Sequence, residues 1–209
     1  MGTGSRSDAT KARILDAALE AFVTDGYAGA STDQIAARAA ASKQTVYKYF
    51  GDKSGLFRAL ADDMIGRGLA AVVEVKADAF SDGEETVRCL ARQLVGLLFD
   101  VRVQRIRRLV IAEATRFPEV GQAYYEGAFL RVLGSVAETL QDAADRGWLR
   151  LHGDAKIAAD HLAGLLLWLP VNRVMMTGQP HPDSPSEMKA IIEPAVRVFL
   201  AAYGPRSAD

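Results

Sequence analysis

The sequence predicts an all-α protein: a small N-terminal three-helix unit carrying a helix-turn-helix, followed by a larger helical body, with about nine helices altogether. Three observations carry this. Apolar residues recur at helical spacing in segment after segment, and no stretch reads as a convincing strand. The stretch from Ser31 to Phe50, STDQIAARAAASKQTVYKYF, reads as two short helices joined by a tight turn. A hydrophobic content of 49% over 209 residues permits a substantial core, while 24% charged residues is ordinary for a soluble protein.

In chain order, residues 1–8, MGTGSRSD, are polar and glycine-containing and are expected to be disordered in isolation. Solvent exposure of Arg6 is preferred to a flexible arm reaching a phosphate or a minor groove. From Ala9 to Thr24, Ile14, Leu15, Ala18, Leu19 and Phe22 form one apolar stripe, and Gly26 stops the helix as a C-terminal cap. Thr10, Lys11 and Arg13 stand near its start, where they can meet a DNA backbone. Ser31 or Thr32 is the N-cap of the next helix, since its side-chain oxygen can accept from an unpaired amide. Ile35, Ala36 and Ala39 give that helix a small apolar face. Ala40-Ala41 is the turn and Ser42 caps the following helix, where Val46 and Phe50, one turn apart, face inward. Lys43, Gln44, Thr45, Tyr47 and Lys48 point elsewhere, with Tyr49 unassigned. An outer face of Lys, Gln, Thr and Tyr offers donors for phosphates and base edges, as a recognition helix in a major groove requires.

Asp52 caps a long helix from about Lys53 to Ala79, spanning roughly 40 Å. Leu56, Leu60 and Met64 fall on one line of it, and Phe57, Ala61, Ile65 and Leu69 on the next; Gly66 and Gly68 interrupt its middle. Ser81-Asp82-Gly83 breaks the pattern. Helices are then predicted over Glu84–Phe99, Arg102–Phe117, Glu119 to about Arg146, a strongly apolar one starting after Asp154, and Ser186–Tyr203. Arg102, Arg105, Arg107 and Arg108 form a basic cluster, read as a solvated face paired with acidic neighbours. Pro118 suits a first helical turn, where its missing N–H is not needed. The helix through Ala158, Leu162, Leu165, Leu166, Leu167, Trp168 and Leu169 is apolar on several sides. In a chain of this size a second subunit can cover one of them. Gly178–Pro185 is a proline-rich loop.

From Gly26 to Leu60 the chain reads GYAGASTDQIAARAAASKQTVYKYFGDKSGLFRAL. This closely resembles the DNA-binding domain of the TetR family of transcriptional regulators. The matching parts are Gly26-Tyr27, DQIAARA, Ser42, Thr45-Val46-Tyr47, Tyr49-Phe50 and Asp52-Lys53 followed by Leu56-Phe57, in one order without gaps. Ala40 departs from the glycine that the family often carries in the turn. RRLVIAEATRFPEV and the later RGWLR look like the AefR-like repressor branch. The resemblance implies a DNA-binding domain over 1–52, with its helix-turn-helix at 32–50, and a ligand-binding and dimerisation domain over 53–209. It implies that Lys53 lies against a phosphate, that the helix after Asp52 carries the ligand signal, and that the last two long helices form a four-helix homodimer interface.

On this reading the DNA-binding residues are Thr32, Ser42, Lys43, Gln44, Thr45, Tyr47, Lys48, Tyr49 and Lys53. Lys43, Gln44 and Thr45 are candidates for base edges, and Thr32, Tyr47, Tyr49 and Lys53 for phosphates. Lys48 suits either. The effector pocket is expected to draw on Leu94, Leu109, Tyr124, Tyr125, Phe129 and Trp168, although core packing is the commoner fate of such aromatics.

The formal net charge is −1, with eight Lys/Arg against six Asp/Glu in residues 1–60 and seventeen against twenty beyond. This mild asymmetry fits a DNA-facing end on a slightly acidic body. Cys89 is the single cysteine, so no internal disulfide forms and a reducing compartment is expected. No apolar signal segment opens the chain, and Leu162–Val171 is far shorter than the roughly 20 residues of a membrane span. A cytoplasmic protein without a membrane partner follows. His152, His161 and His181 lack metal-ligand spacing with one another or with Cys89, and no Gly-rich phosphate loop or nucleophile elbow is present. No metal, cofactor or catalytic site is predicted. The function expected is a dimeric repressor that binds a near-palindromic double-stranded DNA operator and is released by a small-molecule effector. The alternative is an all-helical small-molecule-binding protein or enzyme without DNA binding.

Overall fold

The computed structural model describes residues 3–71, 79–178 and 184–205, and every regular element among them is a helix. In order these are α1 (Thr3–Gly29), α2 (Thr32–Arg38), α3 (Lys43–Phe50), α4 (Lys53–Ala71), α5 (Gly83–Leu98), α6 (Val101–Glu113), α7 (Pro118–Tyr124), a π-helical turn (Tyr125–Leu130), α8 (Arg131–Asp145), α9 (Ala155–Thr177) and α10 (Pro185–Tyr203). The chain forms two compact units, one of Met1–Gly68 with Arg105–Gly127 and one of Leu69–Gln104 with Ala128–Asp209.

The first unit is organised by α1. Ile14, Ala18 and Phe22, spaced four apart, are fully buried and meet Ile35 of α2 and Val46 of α3 in one core. The same core takes Leu56, Phe57, Leu60 and Ala61 from α4, and Ile106, Leu109, Val110, Phe117 and Val120 from α6 and α7. Packing therefore groups residues differently from the expected division at 52/53: the apolar side of early α4 and the α6–α7 corner complete the core that three short helices only partly enclose. Helix α1 also begins at Thr3, so most of the stretch expected to be disordered is helical. Gly26, at φ 70° and ψ 168°, kinks the chain within the span of α1, a positive-φ geometry that glycine takes without a Cβ clash.

Helix α4 continues to Ala71; the expected extension to Ala79 and the side chains of Met64, Ile65 and Leu69 lie outside the described residues. One expected helix is shorter than predicted, and another keeps its length but changes form within it. Helix α6 ends at Glu113 rather than at Phe117, because Pro118 disfavours helical backbone in the residue before it, and Phe117 sits at φ −128° and ψ 68°. The single helix expected over Glu119–Arg146 is instead α7, a π-helical turn and α8. A widened turn shifts the face a helix presents by about one residue, and such turns recur at functional sites.

In the second unit α5 buries Val87, Leu90, Ala91, Leu94 and Val95, a helical stripe, against α8, α9 and α10. Asp82 caps α5, accepting from the Glu85 amide at 2.8 Å. Arg88 of α5 bonds Glu84 at 2.6 Å and also Glu193 of α10, joining two helices by charge as well as by packing. The segment after α8 is fastened to the end of α10: the Arg150 amide donates to the Tyr203 carbonyl at 2.7 Å. Helices α9 and α10 run through Pro170 and Pro194 without interruption. Among the described residues no helix is long and apolar enough to cross a membrane.

Candidate nucleic-acid interface

Helix α2 starts at Ser31, whose hydroxyl accepts from the Asp33 amide at 3.3 Å, which settles the cap in favour of Ser31 over Thr32. It ends in a closed loop of backbone bonds, with the Ala40 amide on Ala37 O at 3.1 Å and the Ala41 amide on Ala36 O at 2.9 Å. That pattern needs a left-handed residue at the turn. Ala40 supplies it at φ 49°, the one non-glycine residue with positive φ among those described. Ser42 then caps α3, accepting from the Thr45 amide at 3.0 Å and pairing with the Thr45 hydroxyl at 2.8 Å.

With both ends fixed, the faces of α3 are set. Val46 is fully buried and Phe50 half-buried, as the spacing predicts. Ser42, Lys43, Gln44, Tyr47 and Lys48 are exposed, whereas Thr32, Thr45, Tyr49 and Lys53 are half-buried. The structure thus leaves Ser42, Lys43, Gln44, Tyr47 and Lys48 on the outer side of α3 and its cap, with Thr32 of α2 beside Tyr47. It also gives several of them partners that sequence alone does not reveal. The Tyr47 hydroxyl lies 3.3 Å from Thr32 Oγ1, and Lys43 Nζ lies 2.9 Å from Asp33 Oδ2. That carboxylate, by its hydrogen bond first, holds the Lys43 ammonium above the ordinary lysine range. Tyr49 packs against the core, its hydroxyl accepts from Ser7 Oγ at 3.3 Å, and Lys11 Nζ stands 5.5 Å from its ring centroid. Arg13 Nε donates to the Ala39 carbonyl at 3.3 Å, bracing the turn from α1.

Lys53 sits at the start of α4, beside the α3–α4 junction. Its ammonium donates to the Ala28 carbonyl at 3.2 Å and stands 4.9 Å from the Tyr27 ring centroid. Burial, with the Arg116 guanidinium nearby, lowers its pKa from the lysine value. Arg116 covers the Tyr27 ring as well, 4.7 Å from the centroid, and Phe117 meets it edge-on at 4.7 Å. Asp52 accepts from the Gly55 amide and the Ser54 hydroxyl, both at 2.7 Å, and these bonds, that of Gly55 first, hold its carboxyl below the usual range. Gly55 is required here: a Cβ would stand 2.0 Å from the Phe50 carbonyl oxygen.

The residues expected to line an effector pocket are more scattered. Leu94 is buried in the core of the second unit, while Leu109 and Tyr124 belong to the core of the first. Burial pushes the Tyr124 phenol up. Tyr125 is half exposed and Phe129 half-buried, both on the π-helical turn. Trp168 is 76% exposed on the outer side of α9, because the helix turns its Leu162–Leu166 line inward and Trp168 falls on the opposite face. The basic cluster of α6 is partly neutralised as read, Arg105 reaching Glu20 at 3.2 Å.

Residues 14–60 match the family model for bacterial regulatory proteins of the tetR family, and residues 85–205 match the C-terminal domain of AefR-like transcriptional repressors. The chain belongs to the TetR family of transcriptional regulators. A solved TetR-family regulator from Mesorhizobium loti superposes with a TM-score of 0.87 at 38% identity, over 95% of this chain and 98% of that one. A helix-turn-helix regulator encoded in the dhlA 5′ region of Xanthobacter autotrophicus is 32% identical over 143 residues, 68% of this chain and 70% of its own. The transcriptional repressor SCO4008 of Streptomyces coelicolor is 49% identical over 55 residues, which is 26% of this chain and 29% of the length of SCO4008.

Proposed function

We propose that this TetR-family protein is a cytoplasmic repressor that binds a near-palindromic operator as a homodimer and lets go when a small molecule enters its larger helical body. The observation that carries the DNA-binding part is the outer face of α3, where Gln44, Lys48 and Tyr47 are exposed while Val46 anchors the helix in the core. Gln44, Lys43 and Thr45 meet base edges, Gln being suited to a bidentate pair with adenine. Tyr47, Thr32, Tyr49 and Lys53 serve phosphates, which fix register without reading sequence. Ser42 and Lys48 flank this set. On this reading the DNA-binding domain is residues 1–52, with Lys53 adding a phosphate contact from the start of α4 and the apolar residues that follow acting as support.

Dimerisation rests on the last two helices. One face of α9 exposes Leu165, Trp168, Leu169 and Met176, and α10 exposes Val198. Trp168 and Leu169 at 76% and Met176 at 82% form a line at helical spacing, a kind of surface that marks an interaction site. An effector shifts such a dimer only by binding its two states with different affinity. Tyr124, Tyr125, Phe129, Leu94 and Leu109 are the side chains proposed to respond to it.

Selection of bound sites from random duplexes, followed by gel shifts over a salt series, tests the reading. A selected half-site repeat whose affinity falls steeply with salt supports it. Tyr47→Ala then weakens binding at every sequence, whereas Gln44→Ala relaxes discrimination at one base pair. Equal loss for both variants across all operator variants counts against this assignment of roles.

A further inference from the structure

Two residues at the start of α2 hold two residues of α3. Thr32 meets the Tyr47 hydroxyl at 3.3 Å, and Asp33 meets the Lys43 ammonium at 2.9 Å. Lys43 and Tyr47 are one helical turn apart, so they share a face, and Lys43 Nζ lies 5.9 Å from the Tyr47 ring centroid. The four side chains form a clasp on the side of the helix pair proposed to meet DNA. The Lys43 and Asp33 side chains are 47% and 66% exposed, so incoming DNA can reach both. Asp33 also suits its own helix, since a carboxylate in a first turn faces the positive end of the helix dipole.

A lysine at the tip of a recognition helix is a liability for discrimination. Its ammonium is a point charge on a flexible stem, and phosphates attract it whatever the sequence. A carboxylate at 2.9 Å changes both properties: it cancels the charge locally and fixes the stem in one direction. To leave Asp33, the ammonium must find acceptors at least as good. A guanine O6/N7 edge in register offers two.

We propose that Asp33 is a specificity-determining positioning residue: by holding Lys43 across α2 and α3 it suppresses sequence-independent binding and reserves Lys43 for a matching base edge. This rests on the DNA-binding reading above. It assigns to an acidic side chain, which by itself repels DNA, a role in how the operator is chosen.

The test is a double-mutant cycle of Asp33→Asn and Lys43→Gln, read on a random-sequence duplex and on the selected operator over a salt series, with thermal melting as a check on folding. Asp33→Asn is expected to tighten random-sequence binding roughly threefold or more. It should steepen the log K against log salt slope by about 0.9, one added phosphate contact. It lowers the ratio of operator to random affinity. In the Lys43→Gln background the same change leaves the slope where it was. Asp33→Ala, which removes the acceptor as well as the charge, gives at least as large an effect. An unchanged slope overturns the proposal, as does tightening of equal size with and without Lys43, which would make Asp33 a plain repulsive charge. Wild-type protein that binds no duplex overturns the DNA-binding reading and this proposal with it; either of the other outcomes overturns this proposal alone.

Discussion

Ala40 shows how much one residue can reveal. Its departure from the family's turn glycine is visible in the sequence, and its φ of 49° shows that the backbone still takes the left-handed form. An L-residue there costs about 1–2 kcal/mol, while glycine costs about 0.4–1 kcal/mol through the freedom it gives the unfolded chain. Ala40→Gly is therefore expected to stabilise the protein by up to about 1.6 kcal/mol, measured as a higher urea midpoint with an unchanged slope. A lower midpoint would mean that the turn fits alanine. The exposed face of α3 was legible because Val46 and Phe50 fix which side of the helix is inward. Their partners were not, since Asp33, Ser7 and Thr32 come from other helices, and contacts between elements leave no periodic trace.

Among the elements, α4 depends most on its first turn. Asp52 caps it with two bonds at 2.7 Å, and the start of the helix passes so close to the Phe50 carbonyl that position 55 admits only glycine. The cap was legible from Asp52 preceding an apolar run; the close approach at Gly55 was not. Because the folded carboxyl titrates below its unfolded value, its contribution is fully present above about pH 4 and is lost as pH falls through the folded pKa. Asp52→Asn should flatten the dependence of the urea midpoint on pH below about pH 4, and a slope identical to wild type there would refute the linkage. The divided helix over 118–145 was missed for a different reason. A π turn inserts one residue per turn without changing which residue types suit a helix, so the apolar pattern reads through it.

For the molecule as a whole, the exposed line on α9 decides whether one chain is sufficient. Trp168, placed in a pocket wall by its aromatic character, instead stands with Leu169 and Met176 on the surface. A double change, Trp168→Glu with Leu169→Glu, puts charge where the proposed partner packs. It should give a monomer by sedimentation velocity with unaltered helical content, and reduce operator affinity by on the order of a hundredfold, since each half-site then binds alone. A variant that remains dimeric at micromolar concentration places the interface elsewhere.

The sequence by itself determined the helical class, the order of the helices to within a turn at most ends, the helix-turn-helix and the inward face of α3. These follow from local spacing and capping, which the chain states residue by residue. The tertiary structure alone decided that α4 and the α6–α7 corner finish the N-terminal core, that Lys43 and Tyr47 are held by α2, and that Trp168 faces outward. Each of those depends on which helix lies beside which, and that is fixed by the packing of distant segments against one another.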